Sequence, residues 1–264
     1  MEQQRKTTPK QVLARIVFNE QVMPGVYLLW IEAPGIARDA QPGQFVMLKC
    51  RGGAFLRRPL SIHKVDEDGK RVAFLFAVVG KGTDWLARQK AGEEIDLLGP
   101  LGNGFDVLAA TREILLVAGG LGLAPLVFLA EWAKKRGLSV NLAYGTEDAH
   151  RYARELLPKG INLVDFTEDG SCGRRGLVTE CIPDFIDGVD QLFVCGPIPM
   201  YRTLAKQAQF KNKLVQVSLE VRIACGLGVC YGCTIKAKTG LKQVCHDGPV
   251  FNLEEVIWEE MVEV

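Results

Sequence analysis

Four cysteines constrain this chain more than any other feature. Cys225, Cys230, Cys233 and Cys245 stand in the pattern C-x4-C-x2-C-x11-C. An x4 then x2 spacing, with a fourth thiolate further on, is that of plant-type [2Fe–2S] loops. Two irons and two sulfides need four thiolates and a loop that wraps closely around them. Gly226, Gly228 and Gly232 sit between the first three cysteines. Glycine there permits turns at positive φ and lets backbone N–H groups reach the cluster sulfurs. Zinc ribbons show two matched C-x2–4-C pairs, so the asymmetry argues against zinc while leaving it as the alternative. A disulfide set is a third reading, suited to a secreted chain. The opening residues, MEQQRKTTPK, lack the apolar stretch of a secretory signal, and none is expected.

A chain of 264 residues can hold two modest domains and a small appendage. Its net charge is +1 with acids and bases interspersed, which excludes the basic stripe of a nucleic-acid binder and the charge block of a disordered tail. The remaining cysteines, Cys50, Cys172, Cys181 and Cys195, are scattered, as suits free thiols in a reducing cytoplasm. Residues Ile114 to Ala130 carry no charge and approach the length of a membrane span. Gly119, Gly120, Gly122 and Pro125 interrupt them, so a buried strand, a glycine turn and a helix start are expected instead, with no membrane segment.

Residues 11 to 100 read as short strands at Val12–Phe18, Val26–Glu32, Phe45–Lys49, Leu60–Val65, Val72–Val79 and Glu94–Leu98. Pro24-Gly25, Pro34-Gly35, Pro42-Gly43 and Asp68-Gly69 punctuate them, and Thr83–Gln89 suits one short helix. That spacing predicts an antiparallel β-barrel. Beyond about residue 110, apolar strands alternate with helical segments. Strands are expected at Glu113–Ala118, Ser139–Tyr144, Ile161–Phe166, Gln191–Cys195 and Val215–Leu219. Helices are expected near Pro125–Lys135, Arg151–Leu157, Leu177–Phe185 and Met200–Gln209, which gives a parallel sheet covered on both faces. Leu253–Val262 has helical spacing, with Val256, Ile257 and Met261 on one face.

Five short motifs lie along this frame. Arg58-Pro59-Leu60-Ser61 opens a strand, and offers the arginine that a flavin pyrophosphate takes and a hydroxyl for the ring's reactive edge. Alone it reads equally as a solvated strand end. Gly80-Lys81-Gly82-Thr83 opens the short helix, where free N–H groups suit a pyrophosphate or an ordinary capped turn. Gly99 to Phe105, GPLGNGF, is a rigid turn or a linker. Gly119-Gly120-Leu121-Gly122-Leu123-Ala124-Pro125 lies between strand and helix, the setting of a dinucleotide turn, although it is not G-x-G-x-x-G. Cys195-Gly196-Pro197 ends a strand of the parallel sheet, where ligands bind, although a lone buried Cys is more often core.

Taken in order, RPxS, G-x-GT, GPLGxGF, GGxGxAP and CGPxPM resemble the ferredoxin–NADP reductase superfamily. Leu29-Trp30-Ile31, Asp169-Gly170-Ser171, Ser218-Leu219-Glu220 and the run Cys245 to Phe251 narrow the likeness. With the four cysteines, the chain resembles the electron-transfer subunits of heteromeric NAD-linked dihydroorotate dehydrogenase, over about residues 10–260. One departure stands out: Leu60 occupies the place of the flavin-stacking tyrosine in R-x-Y-S. The smaller subunit of NADH-dependent ferredoxin–NADP oxidoreductase is similar along its length, but that family replaces one cluster Cys by Asp, and four Cys here favour the dihydroorotate enzyme.

The resemblance implies a multi-domain chain: an antiparallel β-barrel for FAD over 1–108, an α/β parallel-sheet domain for NAD over 109–218, and a small [2Fe–2S] domain over 219–264. It implies that Arg58, Pro59, Leu60, Ser61, Leu75, Phe76, Ala77, Gly82 and Thr83 hold the flavin. Gly119, Gly120, Gly122 and Cys195 would line the NAD site, and Cys225, Cys230, Cys233 and Cys245 would ligate iron. No catalytic acid or base is implied, because hydride exchange between flavin and nicotinamide needs none. Glu147 and Asp148 are expected near the adenine ribose, favouring NAD over NADP. The implied partner is an FMN-containing dihydroorotate-oxidising subunit, two of each in a heterotetramer serving pyrimidine biosynthesis. The alternatives are an NAD(P)H-dependent flavin/iron–sulfur reductase serving ferredoxin or another acceptor, and a zinc-stabilised binding or regulatory protein.

Overall fold

The structure, a computed structural model, describes residues 8–53, 55–180, 182–207 and 213–262. The first sheet has seven antiparallel strands: β1 (Lys10–Met23), β2 (Val26–Glu32), β3 (Phe45–Leu48), β4 (Arg58–Ser61), β5 (Lys64–Val65), β6 (Arg71–Ala77) and β7 (Glu94–Leu101). Its order is β4-β3-β7-β1-β2-β6-β5. The sheet curls into a half-barrel whose two edge strands, β4 and β5, are consecutive in the chain, with only Ile62 and His63 between them. Both link residues tie across: Ile62 N donates to Gln44 O and His63 N to Ala73 O. The short helix α1 (Pro34–Ala37) covers one end, and α2 (Lys81–Ala87) follows β6. Strand β1 runs well past the expected Phe18, through the polar residues Asn19 to Gln21. Asn19 is polar for a reason: its amide donates to Leu86 O at 2.9 Å and Gln89 O at 2.8 Å, taking up carbonyls at the end of α2.

The second sheet contains β8 (Glu113–Gly119), β9 (Ser139–Thr146), β10 (Asn162–Thr167), β11 (Arg174–Arg175), β12 (Gln191–Cys195), β13 (Leu214–Ser218) and, from the Cys-rich segment, β16 (Val250–Asn252). Its order is β11-β10-β9-β8-β12-β13-β16; all neighbours are parallel except the β13–β16 pair. The continuous apolar runs Ile114–Ala118 and Leu192–Cys195 follow from burial on both faces. Helix α3 (Leu123–Lys135) packs on the sheet and stops at Gly137, which has φ 79°. Helix α5 (Ile198–Lys206) starts beside two prolines, Pro197 and Pro199. The chain steps outward from β8 to β11, then returns to β12 on the other side of β8. That reversal makes the carboxyl ends of β8 and β12 a topological switch point, the place where such sheets bind ligands.

Three expected helices are corrected. Arg151–Leu157 forms two 3-10 turns, Ala149–Arg151 and Arg154–Leu156, with an extended Tyr152 between them. Tyr152 packs its ring on Tyr144, 5.2 Å between centroids, and gives its hydroxyl proton to Asp165; these tertiary bonds outweigh helix propensity. Residues 177–185 form a 3-10 turn (Val178–Glu180) and one turn of α4 (Ile182–Phe185), with Cys181 outside the described residues. Leu253–Val262 is not a helix. Ile257 N donates to Lys236 O, Lys238 N donates to Glu255 O, and only Trp258–Glu260 makes a 3-10 turn. The segment instead borders the hairpin β14 (Thr234–Ala237) and β15 (Gly240–Gln243), which leads into α6 (Val244–Asp247). Gln209, at the end of another expected helix, lies outside the described residues.

One core joins the half-barrel, the parallel sheet and the Cys-rich segment. Phe45, Met47 and Leu101 of the half-barrel pack with Val117 and Val194 of the parallel sheet and with Cys233, Cys245 and Trp258. A smaller seam joins Leu75 and Leu28 to Leu121, Ala124, Ala153 and Leu156. Among the described residues no helix is long and apolar enough to cross a membrane.

Candidate functional site

Strand β4 and the start of α2 form one corner. A Cβ on Gly82 would lie 2.4 Å from Arg58 Nε and 2.9 Å from its Cζ, so the guanidinium rests on the bare face of this glycine. Arg58 Nη1 donates to Leu56 O at 2.6 Å. Thr83 Oγ1 accepts from Val79 N at 2.9 Å and Gly80 N at 3.2 Å, which shapes the turn entering α2. The corner therefore gathers Arg58, Gly82 and Thr83, and a fixed cation beside a helix start fits a pyrophosphate. Pro59 pairs with Met47 of β3, and Ser61 with Phe45. Leu60 packs toward the half-barrel core. On β6, Leu75 faces the seam with the second sheet, Phe76 stacks on Tyr27 inside the half-barrel, and Ala77 ends the strand half-buried.

The switch point between β8 and β12 holds the next group. A Cβ on Gly122 would lie 2.0 Å from Cys195 O, and one on Gly119 would lie 3.0 Å from Pro197 Cδ. The two loops at the strand ends touch backbone to backbone, which only glycine allows. Gly120 differs: its φ is 54° and nothing lies within 4 Å of a Cβ there, so its face is open. Cys195 is buried, with Sγ 3.6 Å from Ser218 O; burial pushes its thiol well up, and the nearby Glu220 adds to this. Tyr201 Oη donates to Ser218 O at 2.6 Å and accepts from Gly196 N at 2.9 Å, locking the loop after Cys195. Asp148 is engaged as a cap, accepting from His150 N at 2.8 Å, and Glu147 pairs with Arg151 at 3.3 Å.

The Cys loop completes the site. Gly226 and Gly228 have φ of 75° and 74°, and Tyr231 holds the left-handed conformation at 59°. Each of the four sulfurs receives a backbone amide: Leu227 N to Cys225, Gly232 N to Cys230, Cys245 N to Cys233, and Gly228 N to Cys245, at 3.2–3.5 Å. That donor set fits an iron–sulfur cluster, whose sulfurs take such bonds. The thiols also fall into pairs, Cys225 with Cys230 and Cys233 with Cys245. The asymmetric x4/x2 spacing of these ligands suits two irons better than one zinc. Desolvation would raise the Cys225 thiol, but the amides of Leu227, Cys230 and Val229 and the Cys230 thiol bring it down to about 6. Burial and the neighbouring Cys233 push Cys245 up.

The loop sits against the half-barrel. A Cβ on Gly226 would lie 2.7 Å from Met47 Cγ, and Met47 is the cross-strand partner of Pro59. The cysteines are thus one strand away from the Arg58–Ser61 motif. Sequence reading missed three participants. Met47 has an ordinary strand signature. His63 is fully buried and bonds across to Ala124. Glu220 reaches solvent, yet protein surrounds most of it, and desolvation raises its carboxyl. Only Glu220 carried a signal, as part of Ser218-Leu219-Glu220.

Comparison with known proteins gives a consistent set. Residues 220–257 match the family model described as the iron–sulfur cluster binding domain of dihydroorotate dehydrogenase B. The chain is 39% identical over 249 residues to the dihydroorotate dehydrogenase B (NAD(+)) electron transfer subunit of Caldanaerobacter subterraneus subsp. tengcongensis, covering 93% of this chain and 98% of that one. It is 42% identical over 240 residues to the protein of that name from Geobacillus kaustophilus, covering 88% and 92%. Among solved structures, an NADH-dependent reduced ferredoxin–NADP oxidoreductase, studied for flavin-based electron bifurcation, superposes with TM-score 0.85 at 29% identity, over 97% of this chain and 92% of that one. A ferredoxin NADP+ reductase from Neisseria gonorrhoeae with bound FAD and NADP shares the fold, with TM-score 0.60 at 18% identity, over 73% and 88%.

Proposed function

The chain belongs to the family of electron transfer subunits of NAD(+)-linked dihydroorotate dehydrogenase B, and from that premise we propose how its residues divide the work. When bound, FAD exchanges a hydride with NAD and single electrons with the [2Fe–2S] cluster, which connects it to the FMN of a dihydroorotate-oxidising catalytic subunit. The half-barrel holds FAD: Arg58 and the turn at Gly82 and Thr83 take the pyrophosphate, and Ser61 faces the ring's reactive edge. Leu75, Phe76 and Ala77 support the ring from β6. The switch point takes NAD, with its phosphates at the open face of Gly120 between Gly119 and Gly122, and with Cys195 beneath the nicotinamide. Cys225, Cys230, Cys233 and Cys245 ligate the two irons. No residue is asked to move a proton from carbon, which is the catalytic subunit's task.

The observation that carries this reading is the loop of residues 225–245, where all four sulfurs take backbone amides and Gly226 rests on Met47. That contact supports ligation of the cluster close to the strand proposed to hold the flavin. The same loop exposes Leu227, Val229 and Tyr231, at 47%, 71% and 68%, an apolar rim on which the catalytic subunit docks. The assembly is a heterotetramer of two of each subunit, working in the cytoplasm in pyrimidine biosynthesis, with no nucleic acid or membrane as partner. Unpaired Cys50, Cys172 and Cys195 agree with a reducing compartment.

The test is reconstitution. The purified chain should show flavin and iron–sulfur absorption and reduce an artificial acceptor with NADH. It should not oxidise dihydroorotate until the FMN subunit is added. Dihydroorotate turnover by the chain alone would overturn the division of labour, and a colourless zinc-containing chain would overturn the cofactor assignment.

A further inference from the structure

The bend between β4 and β5 does more than close the half-barrel. His63 is fully buried there, and its Nδ1 lies 2.9 Å from Ala124 O. A carbonyl only accepts, so Nδ1 carries the proton and the ring is the Nδ1–H tautomer. Its Nε2 is then a bare acceptor, buried and without a partner among the described residues. The next residue, Lys64, pairs with Glu131 at 3.0 Å, both side chains being mostly covered. Between these contacts Phe128 inserts into the half-barrel core. Ala124, Phe128 and Glu131 are spaced i, i+4 and i+7, so they form one face of α3. Two turns of α3 are thereby fastened to the edge of the flavin sheet at three points.

These points lie close to both ligand motifs. Ser61 is two residues before His63, and Gly122 is two residues before Ala124. A leucine or phenylalanine would fill the volume of His63 without leaving an unpaired acceptor. What histidine adds is one directional bond to α3. We infer that His63 and Lys64 act as a positioning pair, fixing α3 and the glycine turn before it against the flavin strand and so setting the nicotinamide-to-flavin approach. This rests on the placement of FAD and NAD given above. Hydride transfer falls steeply with misplacement of the reacting atoms, so loosening the pair lowers the rate of the chemical step more than it weakens NADH binding.

The experiment uses the holo chain, loaded with FAD and its cluster, mixed with NADH without oxygen. Flavin reduction is followed over a range of NADH concentrations, which separates the Kd from the limiting rate. His63→Leu should keep its FAD and bind NADH within about twofold, but its limiting rate should drop by about tenfold or more. His63→Asn retains an N–H donor near the Nδ1 position and should stay within about threefold of wild type. Lys64→Gln should show a smaller loss of rate, about threefold, again without a change in Kd. Nitrogen-15 spectra of the wild-type chain should show His63 as the Nδ1–H tautomer. A wild-type limiting rate in His63→Leu, or an equal loss in His63→Asn, overturns the inference. Should His63→Leu not fold, Lys64→Gln and the spectra decide: an unchanged rate in the former, or an Nε2–H tautomer in the latter, overturns it. A wild-type chain that takes up no flavin would instead overturn the reading beneath.

Discussion

Arg58 and Gly82 are in contact through the space a side chain would occupy: a Cβ on Gly82 would come within 2.4 Å of Arg58 Nε. The two residues lie on different elements, β4 and α2, and neither motif alone identifies a phosphate site. Together they place a cation at a helix start.

Gly82→Ala tests that contact. The clash falls on the mobile end of Arg58, which can swing away, so the fold should tolerate the methyl. Alanine even favours the helix by about 1 kcal/mol. What is lost is the position of the guanidinium. A charge-assisted hydrogen bond contributes about 1.5–3 kcal/mol, so FAD affinity should weaken about 10- to 100-fold with unfolding stability unchanged or raised. Flavin titration and urea unfolding check the two halves. Unaltered FAD affinity would remove Arg58 from the phosphate site.

Cys230→Ser should separate the cofactors. Cys230 is the exposed member of the quartet, and its loop is distinct from β4 and α2, so FAD should stay bound. The cluster signal should vanish from the spin-resonance spectrum of the reduced chain. NADH-driven reduction of an artificial acceptor should persist, and transfer from dihydroorotate with the partner present should stop. A full cluster signal in the variant would mean that Cys230 is not a ligand.

Much of this arrangement is legible in the sequence, and the misses share a cause. Val26–Glu32 and Gln191–Cys195 appear as strands with the expected ends, because turn signals bound the first and unbroken apolar character marks the second. Asn19 hid the length of β1, since its polarity serves the end of α2, over sixty residues away. Tyr152 is drawn out of a helix by Tyr144 and Asp165. Val256 and Ile257 have helical spacing but are β-branched, and they find backbone partners on β14. The glycine and cysteine motifs were visible because their demands are local. The contacts of His63 with Ala124 and of Met47 with Gly226 were not, because each is settled only once distant segments pack.

His63 also predicts an acid limb in stability. Complete burial lowers its pKa to about 3; the bond to Ala124 opposes this and Lys64 adds to it. The unfolded ring titrates near about 6.5, so below that pH the unfolded chain holds one more proton than the folded one. The contribution is full above about pH 6.5 and declines toward pH 3 by about 1.4 kcal/mol per pH unit. His63→Asn should lose this contribution to the slope between about pH 6 and 4. Parallel stability profiles for the two proteins would show that the ring is not held neutral.

Nucleotide preference should favour NADH over NADPH in kcat/KM, although the acids act differently from the sequence expectation. Asp148 is committed to capping, which leaves Glu147 as the carboxylate not used as a cap, paired with Arg151 at 3.3 Å. Glu147→Gln removes the charge that repels a 2′-phosphate and releases the arginine that would attract one. The pair is exposed, so the change should be modest, about three- to tenfold toward NADPH. Equal use of both nucleotides by the wild-type chain would contradict this placement of the ribose.

Trp258 links the segment around it to the loop after Cys195, where NAD is proposed to bind, and its removal should be felt in both places. It is nearly buried, it stacks on Tyr201 with centroids 5.0 Å apart, and its indole N–H donates to Leu253 O at 2.8 Å. Arg202 of α5 donates to the carbonyls of Trp258 and Met261, fastening the same turn. Trp258→Ala leaves a large cavity and should cost about 3–5 kcal/mol, read by urea unfolding. Tyr201 then loses the ring that holds it, and its hydroxyl is what fixes Ser218 and Gly196 beside Cys195. NADH binding should therefore weaken severalfold in the variant while FAD content stays normal, because Arg58, Gly82 and Thr83 lie on other elements, β4 and α2. Trp258→Phe keeps the stack but leaves Leu253 O without its donor, so its cost should be nearer 1–2 kcal/mol. A loss of less than about 1 kcal/mol in Trp258→Ala would show that the tail is an ornament on the sheet and not part of its core.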